Sequence, residues 1–584
     1  MNITYMNAPK QFPNAIHDPG IWWDYLSQDS EISLNYKNLN FYWWEKILNP
    51  QIGKEIFQNS TFLKKISLLL NPYFYRLLKS SAESEKFKKA MLDPNTFEDM
   101  EKYKSAIQLF ISYLNNLNKV QSDFYISFHP GTFVKHFNYN DSKNYFEKAY
   151  DEKSLIYRLT KDMILKKFEK TDVILVSTDD DLDLLTAMIS LSVVKTIYPK
   201  VYISLINYSK ENFILKPFAE KLEKNGYLFK IFDSIILGKE KQNAHVINLI
   251  NELKLGNRPK GFLRNKQIKI NVNWENIDFS KRTPLCLDET FVFKKILSTR
   301  AYENKCYWAK CAFCTQALKY EEEGDVEFIQ PEIVAERFIQ FAKQGFEVIN
   351  ISNEALPPKY LERFCNYLID KNVHFKWSCL IRLDEHYINL FALMRKAGCY
   401  EVVFGFESKC ERVLKLMNKY PAERNMETIE KVIMEANKAG LGIYLSLIMG
   451  FPTETLSELK ETSTFICENL LQCKNLSFYL NYFTLFYGSD VFYHPEKYGV
   501  KLFLPSGDMI GKIPFKRIGL SKQSEKKYLQ DRINFSRETI KKFGYEDLLK
   551  QKGGYYALLF YQITAQGSIF KVMQNNIFEE IRRK

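Results

Sequence analysis

Residues 305–316 read KCYWAKCAFCTQ, and this segment determines how the rest of the chain is interpreted. It brings Cys306, Cys311 and Cys314 into one loop, directly after a strand-like segment at residues 291–298. Three thiolates so close in sequence need a shared cation, or a disulfide, to be stable side by side. The loop is therefore the first candidate for a functional site.

Three kinds of site could use these cysteines. Structural zinc takes four ligands, but no fourth cysteine is near and the histidines nearest in sequence are His245 and His374. A disulfide is disfavoured because the N-terminus, MNITYMNAPKQF, has no signal-peptide pattern and cytosolic thiols stay reduced. An iron–sulfur cluster with one iron free of protein ligands remains, and Tyr307, Trp308 and Phe313 would shield it from water. A chance grouping of three cysteines is the other alternative left open.

The sequence from residue 285 to residue 500 alternates between strands and helices. Apolar runs predict strands at residues 291–298, 348–352, 374–380, 401–404, 442–449 and 476–486, and helical spacing predicts helices at residues 331–344, 358–371, 385–397, 411–418 and 426–439. Gly345, Gly398 and Gly440 each follow a predicted helix, where a C-capping glycine belongs. Six such units predict a partial (β/α)6 barrel of the TIM type.

A smaller αβ series precedes this region, at residues 171–255. Predicted strands lie at residues 172–177, 201–206, 227–232 and 234–237, and predicted helices lie at residues 182–197 and 244–253, with a third ending at residue 225. This pattern predicts a Rossmann-like parallel sheet. The strand predicted at residues 2–6 would be its first strand, with a helical block inserted up to residue 170.

The helical block is rich in aromatic residues, and most of them are predicted to be core. They are Trp22, Trp23, Trp43, Trp44, Tyr73, Phe74 and Tyr75. Residues 62–78 show the apolar spacing of an amphipathic helix. The polar turn at residues 127–131 could instead reach an active site. The seven cysteines outside the loop are expected to be packing residues: Cys286, Cys365, Cys379, Cys399, Cys410, Cys467 and Cys473.

With the cysteine loop on the first barrel strand, residues 285–500 resemble the radical S-adenosylmethionine superfamily. The usual spacing is Cys-x3-Cys-x2-Cys, whereas here it is Cys-x4-Cys-x2-Cys, and Asn304-Lys305 replaces the usual Arg-Gly. Further matches occur in the family's order, namely Asn350–Glu354, Arg382, Phe404–Ser408 with Arg412–Lys419, Leu447–Thr455, Tyr487–Ser489 and His494–Gly499. The lengthened spacing is similar to that of the cobalamin-binding subgroup, which includes enzymes that mature ribosomal peptides.

The resemblance implies a [4Fe-4S] cluster on Cys306, Cys311 and Cys314, whose open iron chelates S-adenosylmethionine. One electron then yields a 5′-deoxyadenosyl radical. The resemblance also implies six cofactor-binding residues: Asn353 and Glu354 near the methionine amino group, Arg382 near its carboxylate, and Glu407, Ser446 and Gly450 at other strand ends. Ordinary structural roles remain the alternative, since Glu407 could pair with a lysine and Arg382 could form a surface salt bridge. Catalytic residues of the chain itself are not assigned.

Residues 171–255 resemble the cobalamin-binding domain found upstream of such barrels. The Asp-x-His-x-x-Gly motif of other cobalamin proteins is absent, and His245 is expected to be an ordinary helix residue. The segments around residues 177–178 and 204–207 would face the corrin. Asp179, Asp180 and Asp181 are expected in a solvated loop or at a helix N-terminus. A scaffold that has lost its cobalamin is the alternative.

Charge and composition restrict the partners. The formal charge is +13, but residues 511–584 carry +9 of it, which describes a basic C-terminal region (residues 501–584) rather than a general nucleic-acid binder. No apolar run is long enough to span a membrane, so a cytoplasmic protein is expected. The fold class expected is α/β, with an N-terminal strand and helical block (residues 1–170), a Rossmann-like domain, a partial barrel and a small α-rich C-terminal region.

The function expected is hydrogen abstraction from a peptide or natural-product substrate, followed by methyl transfer if cobalamin is bound. Without cobalamin the outcome would be a rearrangement, cross-link or epimerisation. The basic region could hold an acidic leader peptide or a phosphorylated substrate, or it could simply be a solvated surface. An electron donor such as flavodoxin or ferredoxin is implied. The alternatives are a radical enzyme acting on RNA, although no RNA-binding module is recognisable, and a cluster-binding scaffold or sensor.

Overall fold

The structure, a computed structural model, describes residues 1–9, 15–121, 123–126, 132–135, 137–178, 181–206, 219–236, 242–263, 272–301, 306–315, 329–373, 375–421, 425–469, 473, 476–509 and 511–542. The chain divides into two compact units. Among these residues, the first unit contains those up to Leu297 together with residues 506–509, and the second contains residues 298–505 and 511–542.

The first unit is built on a six-stranded parallel sheet. Its strands lie in the order β3-β1-β6-β7-β8-β9, and every adjacent pair is parallel. They are β1 (Asn2–Asn7), β3 (Ser33–Asn38), β6 (Val173–Ser177), β7 (Tyr202–Ile206), β8 (Ser234–Ile236) and β9 (Gly261–Leu263). The doubly wound sheet predicted for residues 171–255 is confirmed, and the N-terminal strand is part of it.

Two strands of this sheet and one 3₁₀ turn differ from the prediction. Ser33–Asn38 pairs with β1 although its sequence, SLNYKN, lacks an apolar run, and Gly261–Leu263 extends the far edge. The strand predicted at residues 227–232 is wrong, because Leu228–Lys230 form a 3₁₀ turn. Apolar side chains in such a short segment can be buried from a turn as well as from a strand.

Helices between β1 and β6 form the inserted block. They are α1 (Ile21–Leu26), α2 (Leu39–Ile47), α3 (Ile52–Gln58), α4 (Phe62–Leu69), α5 (Pro72–Lys79), α6 (Ser81–Leu92), α7 (Pro94–Glu98), α8 (Met100–Val120), α9 (Ser142–Ala149) and α10 (Leu155–Lys167). Short strands β2 (Ile16–His17), β4 (Phe124–Ile126) and β5 (Thr132–Val134) interrupt them, and the sheet's own helices are α11 (Asp181–Ile197), α12 (Ala219–Asn225) and α13 (Gln242–Lys254).

Aromatic packing in the block follows the prediction for the four tryptophans and Phe74 but not for the two tyrosines. Trp22, Trp23, Trp43 and Trp44 are fully buried and Phe74 is buried, but Tyr73 is half-buried and Tyr75 is exposed. The amphipathic helix predicted at residues 62–78 is instead two helices. Asn71 caps the second one through the Tyr73 N–H, and Pro72 cannot continue the first.

The second unit has six barrel strands in sequence order, and the first of them begins two residues before the boundary of the unit. They are β10 (Ile296–Thr299), β11 (Val348–Ile351), β12 (Lys376–Ile381), β13 (Cys399–Glu407), β14 (Gly442–Met449) and β15 (Leu476–Tyr482), and the pairs from β11 to β15 are parallel. The helices are α14 (Pro331–Lys343), α15 (Pro358–Asp370), α16 (Phe391–Lys396), α17 (Glu411–Leu416), α18 (Met426–Lys438) and α19 (Leu456–Thr464). This arrangement is the predicted partial barrel, with no closing pair among the described strands.

Local differences concern element ends. The first barrel strand begins at Ile296 rather than residue 291, the last ends at Tyr482 rather than residue 486, and Glu385–Leu390 is a 3₁₀ helix. Gly345, Gly398 and Gly440 all have positive φ, as C-capping glycines require.

The C-terminal part of the second unit is small. It comprises α20 (Asp490–Tyr493), the hairpin of β16 (Val500–Leu502) with β17 (Phe515–Arg517), and α21 (Lys522–Lys542). No helix in the described ranges is both long and apolar enough to cross a membrane. Of the seven cysteines expected to pack, six are buried and Cys286 is exposed.

Candidate functional site

The cysteine loop is fixed by backbone and ring contacts on both sides. The Ala312 N–H donates to Met417 O at 2.8 Å, and the Val491 N–H donates to Ala312 O at 3.1 Å. The Trp308 indole N–H donates to Asn418 O at 2.8 Å. The loop is thus tied to the segment after α17 and to the first turn of α20.

The three cysteines differ in exposure. Cys311 is buried, whereas Cys306 and Cys314 are half-buried. Burial raises the pKa of the Cys311 thiol, and the Lys419 and Arg382 cations oppose that increase. Two cations close to a buried thiol favour the thiolate, which is the form that ligates metals.

A single-metal centre is not present among the described residues. They contain no group of three or more Cys, His, Asp or Glu side chains placed to hold one metal ion.

Arg382 lies just past β12, between two aromatic rings. Its guanidinium carbon is 4.2 Å from the Trp308 ring centroid and 5.4 Å from that of Tyr420, and its Nη2 donates to Lys419 O at 2.5 Å. It is 4% exposed, which excludes the surface salt bridge considered from the sequence. The stack connects the cysteine loop to the end of β12.

Glu407 ends β13 and forms a buried ion pair with Lys419. Lys419 Nζ lies 2.7 Å from Glu407 Oε1, while Glu407 Oε2 is buried and has no hydrogen-bond partner among the described residues. The backbone of Glu407 has a φ of +64°, at an irregularity in the β13–β14 register. Such strained backbone often occurs at functional sites. The orphaned oxygen fits an ammonium or N–H donor of a ligand.

Gly405 makes room for this pair. A Cβ added at Gly405 would lie 2.3 Å from Lys419 Nζ and 2.8 Å from Glu407 Oε1. Only glycine lets both side chains occupy this space at the same time.

Asn353 and Glu354 lie just past β11, and Ser446 lies inside β14 of the same unit. The Asn353 side-chain oxygen accepts the Ala301 N–H at 2.5 Å, so this buried residue connects the segments after β10 and β11. Glu354 is half-buried. Ser446 is half-buried within β14 and accepts a hydrogen bond from Asn481 at 3.2 Å.

Gly450 follows β14 and has a φ of +74°. Its N–H donates to Glu454 Oε2 at 2.5 Å, and its carbonyl accepts from Arg517 Nη2 at 2.8 Å. Arg532 covers the position of its missing side chain, since an added Cβ would lie 2.2 Å from Arg532 Nη1. Two arginines from the C-terminal region thus lie at the predicted cofactor-binding glycine.

The first unit offers a second edge with polar side chains. The chain runs to β3 on one side of β1 and to β6 on the other, and ligands of open parallel sheets bind at such a switch point. At the carboxyl ends, Ser177 Oγ lies 2.8 Å from Tyr5 OH and 3.2 Å from Asn7 Oδ1, and Asn7 Nδ2 donates to Tyr36 OH at 2.6 Å. Ser177 itself is half-exposed.

Of the other residues predicted for the cobalamin-binding-type domain, some lie as expected and some do not. Ser204 is fully buried, and its Oγ lies 2.9 Å from Ser234 Oγ, so it does not face a ligand at that edge. His245 is a buried residue of α13, as expected. Asp181 is the first residue of α11. Asp179, Asp180, Asn207 and the turn at residues 127–131 lie outside the described residues.

Several residues of these sites were not identified from the sequence. Lys419 belongs to a matched motif that assigns it no role, and Tyr482, Arg517 and Arg532 belong to none of the matched motifs. When two interacting residues are far apart in the sequence, the sequence pattern around a charged residue does not indicate which group it will contact. Only the net charge of the C-terminal region pointed toward the two arginines.

Comparison with known proteins identifies the segment that carries the cysteine loop. Residues 304–466 match the family described as the Radical SAM superfamily. An uncharacterised methyltransferase of Pyrococcus horikoshii is 23% identical over 158 residues, which is 26% of this chain and 33% of that protein. Cytidylyl-2-hydroxyethylphosphonate methyltransferase of Streptomyces wedmorensis is 26% identical over 156 residues, 26% of this chain and 28% of that protein. The matched segment spans about a third of these relatives, or less.

Two solved structures resemble the chain at low identity. The cobalamin-dependent S-adenosylmethionine radical enzyme OxsB, with aqua-cobalamin bound, is 12% identical with a TM-score of 0.46 over 76% of this chain and 79% of its own. The methyltransferase TsrM from Kitasatospora setae, with cobalamin and a [4Fe-4S] cluster bound, is 11% identical with a TM-score of 0.45 over 64% and 81%. These similarities are too distant to assign a function.

Proposed function

We propose, from the match of residues 304–466 to the Radical SAM superfamily, that the protein is a cobalamin-dependent radical methyltransferase acting on a peptide or natural-product substrate. The observation that carries the proposal is the cysteine loop, placed next to Arg382 and the Glu407–Lys419 pair. In a radical domain, Cys306, Cys311 and Cys314 would hold the [4Fe-4S] cluster. When bound, the cluster and S-adenosylmethionine together supply a radical that removes hydrogen from an unactivated C–H bond.

The chain's own residues would bind and orient these cofactors. Lys419 and Arg382 place positive charge beside Cys311, which stabilises its thiolate form. The free oxygen of Glu407 suits the methionine amino group, because it is buried and unpartnered. Trp308 and Tyr420 cover the Arg382 guanidinium and keep water from this side of the loop.

Support for methyl transfer comes from the first unit and from the relatives. The switch point between β1 and β6 is where a parallel sheet of this order binds a large cofactor, and Asn7 and Ser177 provide polar groups there. Both curated relatives are methyltransferases by name. The Asp-x-His-x-x-Gly motif is absent, so any cobalamin would be held without an axial histidine from it.

The test uses protein reconstituted anaerobically and produced with added hydroxocobalamin. We expect about four iron and four sulfide ions per chain, release of 5′-deoxyadenosine with dithionite and S-adenosylmethionine, and a corrin spectrum with bound cobalt. Ser177→Leu should reduce cobalt content while iron content is kept. Cluster and deoxyadenosine without any cobalt would contradict methyl transfer and favour a rearrangement, cross-link or epimerisation. Absence of both would contradict the radical assignment.

A further inference from the structure

Arg532, on the basic helix α21, lies at the carboxyl ends of two neighbouring barrel strands. Its guanidinium carbon is 4.6 Å from the ring centroid of Tyr482, the last residue of β15. Its Nη1 also covers Gly450, directly after β14. The carboxyl ends of barrel strands are where substrates and cofactors bind in TIM-type folds.

The donors of Arg532 are not used within the described structure. The residue is half-buried and forms no hydrogen bond or ion pair with the residues that the structure describes, and its Nε is buried without a partner. A guanidinium has five N–H donors in a rigid fork that matches carboxylate or phosphoryl oxygens. Leaving them unpaired in a partly buried position costs free energy that a bound anion would recover.

Arg517 brings a second guanidinium to the same place. Its Nη2 donates to Gly450 O at 2.8 Å, and its guanidinium carbon lies 3.9 Å from the ring centroid of Tyr528. The repulsion between the two cations contributes to a lowered pKa of Arg532, after burial. Arg517 and Arg532 therefore place two positive charges close together beside Gly450.

The Glu454 carboxyl group acts electrostatically on Arg532, but among the described residues it forms no ion pair with Arg532 or Arg517. Its Oε2 accepts the Gly450 N–H, and its Oε1 is buried with no hydrogen-bond partner in the part of the chain that the structure describes. Burial raises the pKa of Glu454 to about 7, so near neutral pH it carries only part of a negative charge. Two guanidiniums against one partly protonated carboxyl leave a net positive site.

We propose that Arg517 and Arg532 form a binding site for an anionic group of the substrate, either a carboxylate or a phosphoryl group. The proposal rests on the proposed function, because it assigns the anion to the molecule that the radical domain modifies. It gives the basic C-terminal region a specific role, since Arg532 reaches the strand ends while Lys522, Lys526 and Lys527 of the same helix are exposed.

Helix anchoring does not account for Arg532. Tyr528 already anchors α21, because its hydroxyl donates to Glu454 O at 2.9 Å and its ring packs on Arg517. An apolar side chain over Tyr482 would pack equally well without leaving buried donors unpaired. The arginine is therefore explained by a ligand rather than by packing.

The test measures anion binding in the full-length protein. Thermal unfolding is followed with increasing inorganic phosphate and, separately, acetate, with chloride adjusted to constant ionic strength so that general screening is equal. We expect one of these anions to raise the unfolding temperature of the wild type, and Arg532→Gln to weaken its apparent affinity about tenfold or more. Preference for phosphate or for acetate identifies the class of the anionic group.

The matched control is Lys526→Gln, which removes the same charge from an exposed position of the same helix. It should leave the anion response unchanged. Equal weakening by Lys526→Gln and Arg532→Gln, or no response of the wild type to either anion, would overturn the site. Arg532→Gln is expected to fold, because the side chain makes no hydrogen bond with the described residues.

A separate measurement distinguishes an anionic group of the substrate from the carboxylate of S-adenosylmethionine. S-adenosylmethionine also carries a carboxylate, so its affinity is measured by equilibrium dialysis on the reconstituted wild type and on Arg532→Gln. An unchanged affinity supports a substrate anion, whereas a loss parallel to that for phosphate or acetate overturns it in favour of the cofactor. Anion binding needs neither cluster nor cobalamin, so failure here is distinct from failure of the radical assignment.

Discussion

Lys419 Nζ and Glu407 Oε1 lie 2.7 Å apart in a buried ion pair at the end of β13. Burial alone would lower the pKa of Lys419, but the Glu407 carboxylate raises it above its ordinary value. Lys419 is thus charged at neutral pH, and Glu407 Oε2 has no hydrogen-bond partner among the described residues. This arrangement places a cation near Cys311 and a carboxylate oxygen near the cysteine loop at the same time.

Removing Lys419 should strongly destabilise the second unit. Lys419→Met leaves the Glu407 charge buried and unpaired, a change that typically costs about 3–5 kcal/mol. Urea unfolding followed by tryptophan fluorescence measures the loss. Glu407→Gln combined with Lys419→Met removes both charges and should recover much of the stability. A double variant as unstable as Lys419→Met would show that the charge is not the cause.

Gly405→Ala should disturb the same pair by sterics alone. The new methyl group would lie 2.3 Å from Lys419 Nζ, so the ammonium must move away from Glu407. We expect weaker binding of S-adenosylmethionine and a lower unfolding temperature. Because the effect acts through Lys419, Gly405→Ala added to Lys419→Met should cost little more. Full additivity of the two changes would contradict this.

Glu454 should make stability depend on pH in an identifiable window. Its pKa is raised from 4.5 to about 7 by burial, against the opposing Gly450 N–H and Arg517. Between these values the folded state binds more protons than the unfolded state, so stability falls as pH rises. Glu454→Gln should remove this slope, with a change relative to wild type of at most about 3 kcal/mol. Urea unfolding at pH 5, 6, 7 and 8 measures it, and parallel curves for the two proteins would refute it.

The three loop cysteines should differ from the exposed one in metal binding. Changing Cys306, Cys311 and Cys314 together to alanine should abolish iron and sulfide incorporation during anaerobic reconstitution. Cys286→Ala, which removes an exposed thiol outside the loop, is the control and should retain both. Iron content with absorption near 400 nm is the measurement. Retention of the cluster by the triple variant would rule out these ligands.

Much of the architecture could be predicted from the sequence, because apolar runs and capping glycines lie within the strands and helices that they define. The strand Gly442–Met449 has its predicted bounds, and Gly440 before it caps a helix as predicted. Strand Ser33–Asn38 could not be found, because its place in the sheet comes from backbone pairing with β1 and not from an apolar pattern. The exposed apolar residues of α4, such as Phe62 and Leu63, also contradict the expectation of a buried face.

The sequence by itself determined the cysteine spacing, the order of the radical-domain motifs and the parallel αβ character of both units, since these depend on residue type and local periodicity. Only the tertiary structure decided that Glu407 pairs with Lys419, that Arg382 is stacked between Trp308 and Tyr420, and that Arg532 reaches Gly450 and Tyr482. Which groups a charged side chain contacts depends on how deeply it is buried and on which strand ends the fold brings together. The pattern of residue types along the chain contains neither piece of information.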